Sequence, residues 1–266
     1  MTQLLEAIYD KYKYDFSDYS RSFIERRIHW ALIKFGCETL SALQKRILHD
    51  PVIFSEFLQY LTIPVSEMFR DPTYFRSIRE NVIPILKTFP FLKIWIAGCS
   101  TGEEAYSFAI LLKEEGLLDK TIIYATDINP KSLQKAKAGI FKLSEMKKFT
   151  INYQQSGGKA EFSDYYTAAF DIALLNKSLK TNIHFGDHCL ATDSVFSEIQ
   201  FISCRNVLIY FEKKLQERAL GLFHESLCAN GFLGLGSMES IKFLKYDNAF
   251  EPISNQIYKR IIYESK

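Results

Sequence analysis

Cysteine is sparse and scattered in this 266-residue chain: the five residues stand at 37, 99, 189, 204 and 228, and no two are spaced as C-x-x-C. That pattern excludes a disulfide-stapled scaffold and a thiolate zinc site, and it points to reduced thiols in a cytoplasmic protein. An apolar run of about eighteen residues, the minimum for a membrane-spanning helix, is missing, and so is a signal peptide; direct membrane insertion is not expected. Charge of one sign is missing too. The 33 basic and 31 acidic residues leave +2, which argues against bulk nucleic-acid binding but leaves room for a local basic patch. The five histidines, at 29, 49, 184, 188 and 224, include one close pair, His184 and His188. No third ligand recurs at metal spacing, so no metal site is expected.

What is present is ample material for a core, 47% hydrophobic and 15% aromatic, enough for one large domain or two modest ones. The chain is organised around Leu92 to Ser107, LKIWIAGCSTGEEAYS. Leu92 to Ala97 is the apolar run of a strand covered on both faces. Gly98, Cys99, Ser100, Thr101 and Gly102 then let the backbone turn tightly, and Glu103 opens a helical pattern carried by Tyr106, Ala109, Ile110 and Lys113. Strand, small-residue turn and helix in this order make a nucleotide crevice whose helix start offers N–H groups to an anion. Glu103 and Glu104 put negative charge where a pyrophosphate would sit, so a diphosphate is disfavoured. S-adenosylmethionine, with a carboxylate, an ammonium and a sulfonium, suits the site; a helix-capping loop with no ligand is the plainer alternative. A second strand, Ile122 to Asp127, ends in an acid placed to accept from both ribose hydroxyls. Asp127 is equally placed to cap the helix that starts near Pro130.

The string Ala97 to Ser107 resembles the cofactor loop of the chemotaxis receptor methyltransferases, the CheR family, which usually reads STGEEPYS. Leu61 to Pro72 (LTIPVSEMFRDP), Ala125 to Phe141 (ATDINPKSLQKAKAGIF) and Cys204 to Phe211 (CRNVLIYF) are similar to three further family motifs, in order and in spacing. The resemblance implies an α/β fold: a class I S-adenosylmethionine-dependent methyltransferase, Rossmann-like, with a mostly parallel seven-stranded sheet whose last strand is antiparallel. It implies a small N-terminal all-helical domain over 1–60 and a linker over 61–72 that contributes to the active site. The methyltransferase domain follows over 73–266, with a small antiparallel β subdomain inserted at 144–182. The implied activity is protein-glutamate O-methyl transfer from S-adenosyl-L-methionine to methyl-accepting chemotaxis receptors, giving glutamate methyl esters and S-adenosyl-L-homocysteine.

Residue by residue, the pattern and the resemblance divide the work. A helix follows Ser20 with Ile24, Ile28, Ala31, Leu32 and Phe35 on one stripe and Gly36 as its stop. Arg26, Arg27, Trp30 and Lys34 share its other flank, either as a solvated face or as a strip for an acidic partner helix. The resemblance assigns Arg26, Arg27 and Lys34 to the receptor's helical methylation region. In the linker it carries over Pro64, where the family often has Asn, together with Ser66 and Arg70; Met68 replaces the family's first Phe. Arg70 has a rationale of its own, since a guanidinium holds a carboxylate in a fixed fork, although a surface ion pair would use it as well. Asp71 and Pro72 start a helix through Phe75, Ile78, Val82 and Leu86.

From Ser144 to Thr181 short antiparallel strands are expected, with Ala173 to Leu179 as one more. In some family members this subdomain binds a pentapeptide at the receptor's C-terminus. Ile183 to Leu190 forms the next strand and its exit, where Cys189 and Leu190 take the family's adenine positions and Asp187 is a rival acceptor. Arg205 and Asn206, after the central strand, contact the cofactor or position the loop. Tyr210 faces the reacting sulfur, or packs as core. A helix over Glu212 to Cys228 stopped by Gly231, then strands over Phe232 to Gly236 and Gln256 to Ile262, complete the chain. A carboxylate acceptor is already ionised near neutral pH and needs no general base, so Arg70 and Tyr210 act by alignment. The alternative is a non-catalytic S-adenosylmethionine-binding regulator of the same fold.

Overall fold

The computed structural model describes residues 1–195, 198–254 and 256–261. Four helices open the chain: α1 (Thr2–Tyr12), α2 (Arg21–Lys34), α3 (Leu40–His49) and α4 (Pro51–Thr62). They enclose their own core of Leu4, Ile8, Phe16, Phe23, Ile24, Ile28, Leu43, Ile47, Phe57, Leu58 and Leu61. Thr39 and Asp50 cap α3 and α4 by accepting from the amides of Ala42 (3.2 Å) and Val52 (2.8 Å). The last of these helices runs to Thr62, two residues into the stretch expected as linker. The connecting segment turns sharply, with Ile63, Phe69 and Asp71 all at positive φ.

Next come α5 (Pro72–Ser77), a π turn over Ile78–Val82 and α6 (Ile83–Leu86). One continuous helix was expected here; Pro84 has no N–H to donate, and the ladder reorganises into the wider turn just before it. The central sheet contains β1 (Leu92–Ala97), β2 (Thr121–Asp127), β6 (Ile183–Asp187), β7 (Ile199–Cys204), β8 (Leu227–Leu235), β9 (Phe250–Ser254) and β10 (Ile257–Arg260), in the order β6-β2-β1-β7-β8-β10-β9. All neighbours pair in parallel except β10, which is antiparallel to both β8 and β9. The strand order reverses between β1 and β7, the position at which an open α/β sheet forms a ligand crevice.

Alternation along β1 explains the two-sided core. Ile94 and Ile96 pack with Phe108, Leu112, Ile123 and Phe201 on one face, the face covered by α7 (Glu103–Glu114). Trp95 and Ala97 pack with Ile202, Leu220, Phe223 and Leu233 on the other, covered by α11 (Lys213–Ser226). A second sheet, β3 (Ile140–Lys142), β5 (Ile172–Leu175) and β4 (Tyr166–Ala169), is antiparallel throughout. Its first strand follows α8 (Pro130–Ala138) and begins ahead of the expected insertion.

Four local expectations differ from the structure. The insertion contains α9 (Leu143–Gln155), whose buried Met146, Phe149 and Tyr153 recur at helical spacing and fasten it to the core. Residues Lys177–Lys180 are helical, so β5 stops at Leu175. Strand β8 starts at Leu227, because Asn230 at φ 60 and Gly231 lie in a register shift within the strand and do not end a helix. The expected strand over Gln256 to Ile262 is seen over Ile257–Arg260, and Ile262 lies outside the described residues.

Candidate active site

The crevice opens at the carboxyl ends of β1, β2 and β7. It is lined from below by Gly98, Ser100, Glu104 and Asp127, from the linker by Ser66 and Arg70, and from the last motif by Arg205, Asn206 and Tyr210. The turn after β1 bends through Gly98 (φ 77), Ser100 (φ 50) and Gly102 (φ 99). A Cβ at position 98 would lie 2.4 Å from Val207 Cγ2, so only glycine lets the loop after β7 close over the turn.

Asp127 ties the two halves of the signature together. Its Oδ2 accepts from the Ser100 amide and its Oδ1 from the Asn129 amide, each at 2.8 Å. The cap of α8 is Asn129, which accepts from the amides of Lys131 and Ser132; the capping role open to Asp127 in the sequence belongs to its neighbour. Burial pushes the Asp127 carboxyl up to about 6, and Asp187 nearby adds to the rise, while the two amides oppose it. The amides of Gly98 and Cys99 are spent on the Thr126 carbonyl, both at 2.8 Å. Little of the turn is left for an anion, and Arg70 is the nearby cation. That guanidinium is half-buried, lines the crevice and forms no ion pair among the described residues.

The two glutamates of the turn separate. Glu103 is buried, accepts from the Thr101 hydroxyl at 2.7 and 2.8 Å and is not among the residues that line the crevice. Glu104 lines it, accepting from Ser203 Oγ (2.6 Å) and from Arg205 (3.0 Å). Arg205 is itself buried, donating also to Asp71 (2.7 Å) and to the Arg70 carbonyl (2.9 Å), with its guanidinium carbon 4.2 Å from the centre of the Tyr74 ring. It therefore locks the linker onto the turn. With Glu104 and Asp71 around one arginine, the cluster keeps a net negative charge for a cationic ligand.

Leu190 and His188 reach the crevice, whereas Asp187 and Cys189 point to a neighbouring recess formed with Tyr9, Tyr12 and Tyr14; Ile128 borders both spaces. His188 Nε2 is 3.0 Å from the Ser194 carbonyl, and its ring stands edge-on to Trp95. Pro64 lies in a separate surface recess with Lys34, Tyr60 and Lys131. Arg26 and Lys34 are exposed; Arg27 is half-buried, with its guanidinium carbon 5.5 Å from the centre of the Phe23 ring. That ring in turn lies 4.6 Å from the Tyr210 ring, tilted by 36°, so the basic strip reaches the crevice mouth.

Sequence reasoning missed Tyr19 and Phe23, which line the crevice from the helical module. Tyr19 bridges to Phe211, and the Ser20 amide donates to the Tyr210 carbonyl at 2.8 Å. No motif marks these residues; the only sequence signal was an aromatic cluster just ahead of α2.

The family model described as "CheR methyltransferase, all-alpha domain" matches residues 1–62, and the one described as "CheR methyltransferase, SAM binding domain" matches residues 64–259. The chain belongs to the CheR methyltransferase family. Among its relatives, a Pseudomonas putida protein named "Putative methyltransferase Cher3" is 62% identical over 94% of this chain and 92% of its own length. A chemotaxis protein methyltransferase of Listeria monocytogenes is 31% identical over 85% and 84%. Another from Salmonella typhimurium is 28% identical over 91% and 84%. The cofactor of this CheR-family protein is S-adenosylmethionine, and the crevice fits it: the Ser100 hydroxyl is buried without a partner, Asp127 can accept hydroxyls and Glu104 can face a cation. No described helix is long and apolar enough to cross a membrane.

Proposed function

We propose that the chain is a cytoplasmic protein-glutamate O-methyltransferase acting on the helical region of methyl-accepting chemotaxis receptors, with glutamate methyl esters and S-adenosylhomocysteine as products. The names of the chemotaxis relatives support the receptor, and one observation supports a carboxylate acceptor. The crevice mouth offers a half-buried arginine without an ionic partner among the described residues, Arg70, and a half-buried Tyr210, while its histidine is held by a backbone carbonyl. An amine or alcohol acceptor would call for a general base; an ionised glutamate needs only to be held.

S-adenosylmethionine, when bound, supplies an electrophilic methyl group on a sulfonium. The chain's residues do the rest. Asp127 accepts hydroxyl protons of the ribose, Glu104 offsets positive charge, and Arg70 orients a carboxylate oxygen. Tyr210 and Phe23 wall the mouth against water, and alignment of this kind is worth at most about 7 to 11 kcal/mol of barrier. Arg26, Arg27 and Lys34 present positive charge to an acidic receptor helix. Incubation with methyl-labelled donor and a cytoplasmic receptor fragment tests the reading. Label that alkali releases as methanol supports it, and base-stable label overturns it. Intact cofactor binding without transfer would instead establish a non-catalytic regulator.

A further inference from the structure

The loop that brings Asn206 and Tyr210 to the crevice does not hold its own shape. Asn206 sits at φ 59, a left-handed conformation costly for a side chain, and the 3-10 turn that follows spans only Leu208–Tyr210. The amides that such a turn leaves open are collected by one side chain from beyond β8, Glu239, which is 4% exposed. Its Oε1 accepts from Val207 N and Leu208 N, both at 2.8 Å, with Ile209 N at 3.4 Å. Its Oε2 accepts from Asn206 N at 2.8 Å and Gly236 N at 2.6 Å. A buried carboxylate is thus satisfied by converging main-chain donors, the arrangement of an anion nest filled from inside the protein. The approach depends on Gly236, where a Cβ would meet Oε2 at 2.7 Å.

Apart from Gly236, each amide held this way belongs to a residue at the crevice or next to one in sequence. Val207 fills the space above Gly98, Asn206 and Tyr210 line the walls, and the Tyr210 carbonyl receives the Ser20 amide of the helical module. Glu239 itself does not line the crevice. We propose that Glu239 is the positioning residue of the methyl-transfer site: its carboxylate fixes the main chain of 206–209 and, through it, Asn206 and Tyr210. This rests on the crevice being that site. A glutamine of the same shape replaces one acceptor oxygen with two N–H donors aimed at N–H groups, so it removes the nest while keeping the volume.

The experiment compares the full chain with Glu239→Gln and Glu239→Asp. Hydrogen exchange is followed at the amides of 206–208, product affinity is measured by calorimetry, and kcat and KM are measured on a receptor fragment at saturating methyl donor, normalised to folded protein. For Glu239→Gln the expected result is exchange faster by about 100-fold at these amides with β1 unchanged, and kcat lower by about 10-fold or more with receptor KM within about 3-fold. Glu239→Asp, which keeps the charge one methylene short, should recover part of both, and it carries the test should the glutamine variant fail to fold. Unchanged protection at 206–208, or a kcat per folded molecule within about two-fold of the parent, overturns the proposal. If the parent itself transfers no methyl group, the reading of the function fails, while the exchange measurement still decides whether Glu239 fixes the main chain of 206–209.

Discussion

Replacing Asp127 by Asn separates what this carboxylate costs the fold from what it contributes to binding. Its rise from 3.8 to about 6 means that ionisation destabilises the ligand-free protein by about 3 kcal/mol at neutral pH. The sign follows from the direction: a carboxyl whose folded value is raised is stabilising while protonated, and that stability is lost as pH climbs from the unfolded value through about 6. Asparagine removes the charge but turns an N–H donor toward the amide of Ser100 or Asn129, at a cost of about 1 to 3 kcal/mol for the unpaired group. The two terms nearly offset, so the ligand-free variant should melt at or slightly above the parent at pH 7.5. Binding should respond in the opposite sense. One charge-assisted bond from a ribose hydroxyl is lost and the other weakened, about 2 to 4 kcal/mol together, or about 30- to 1,000-fold in Kd. Calorimetry with S-adenosylhomocysteine from pH 5 to 7.5, alongside thermal melts, reads both quantities. The parent's Kd should weaken about ten-fold per pH unit below about 6, and the variant should lose that slope. An affinity loss under about three-fold, or a pH slope that survives in the variant, would refute the reasoning.

Gly98→Ala should lower stability by about 2 kcal/mol or more and abolish measurable cofactor binding, because the new Cβ meets Val207 at 2.4 Å on a backbone at φ 77; chemical denaturation and calorimetry check the two parts. Arg70→Ala should reduce kcat/KM by about 100-fold while the melting temperature stays within about 3 °C, since its guanidinium forms no ion pair among the described residues; undiminished turnover would remove its role. Reversing Arg26 and Arg27 to Glu should raise receptor KM about ten-fold in a salt-dependent manner and leave product affinity unchanged, as read by steady-state kinetics at two ionic strengths.

The parts of this protein that could be read in sequence are those where one local pattern has one physical outcome. The apolar run ending at Gly98 had to be a covered strand, and the acid closing the Ile122 to Asp127 stretch had to lie at a strand end beside it. Both therefore line the crevice, together with Arg70, Arg205, Asn206 and Tyr210 from separate motifs. What could not be read depends on partners distant in the chain. Which face of the 187–190 exit turns toward the crevice is decided by alternation at its end, and it sends Leu190 one way and Asp187 and Cys189 the other. Pro64 faces outward because Ile63 adopts a left-handed conformation as α4 ends. Glu103 and Glu104 looked equivalent in the helix start, yet the step of about 100° between adjacent helical positions buries the first against Thr101 and presents the second to Arg205. Helix α9 was obscured by neighbouring aromatics that suggested strands, although its own stripe of Met146, Phe149 and Tyr153 had helical spacing.

The central claim is that the crevice between the helical module and the sheet holds the methyl donor with its sulfur turned toward Arg70 and Tyr210. A crystal structure with S-adenosylhomocysteine tests it most directly. The account predicts ribose oxygens on Asp127, the ammonium at Glu104, and the sulfur facing Tyr210 with Arg70 left open toward the acceptor. A product molecule bound elsewhere, or seated in the crevice with its sulfur turned away from Tyr210, would contradict it.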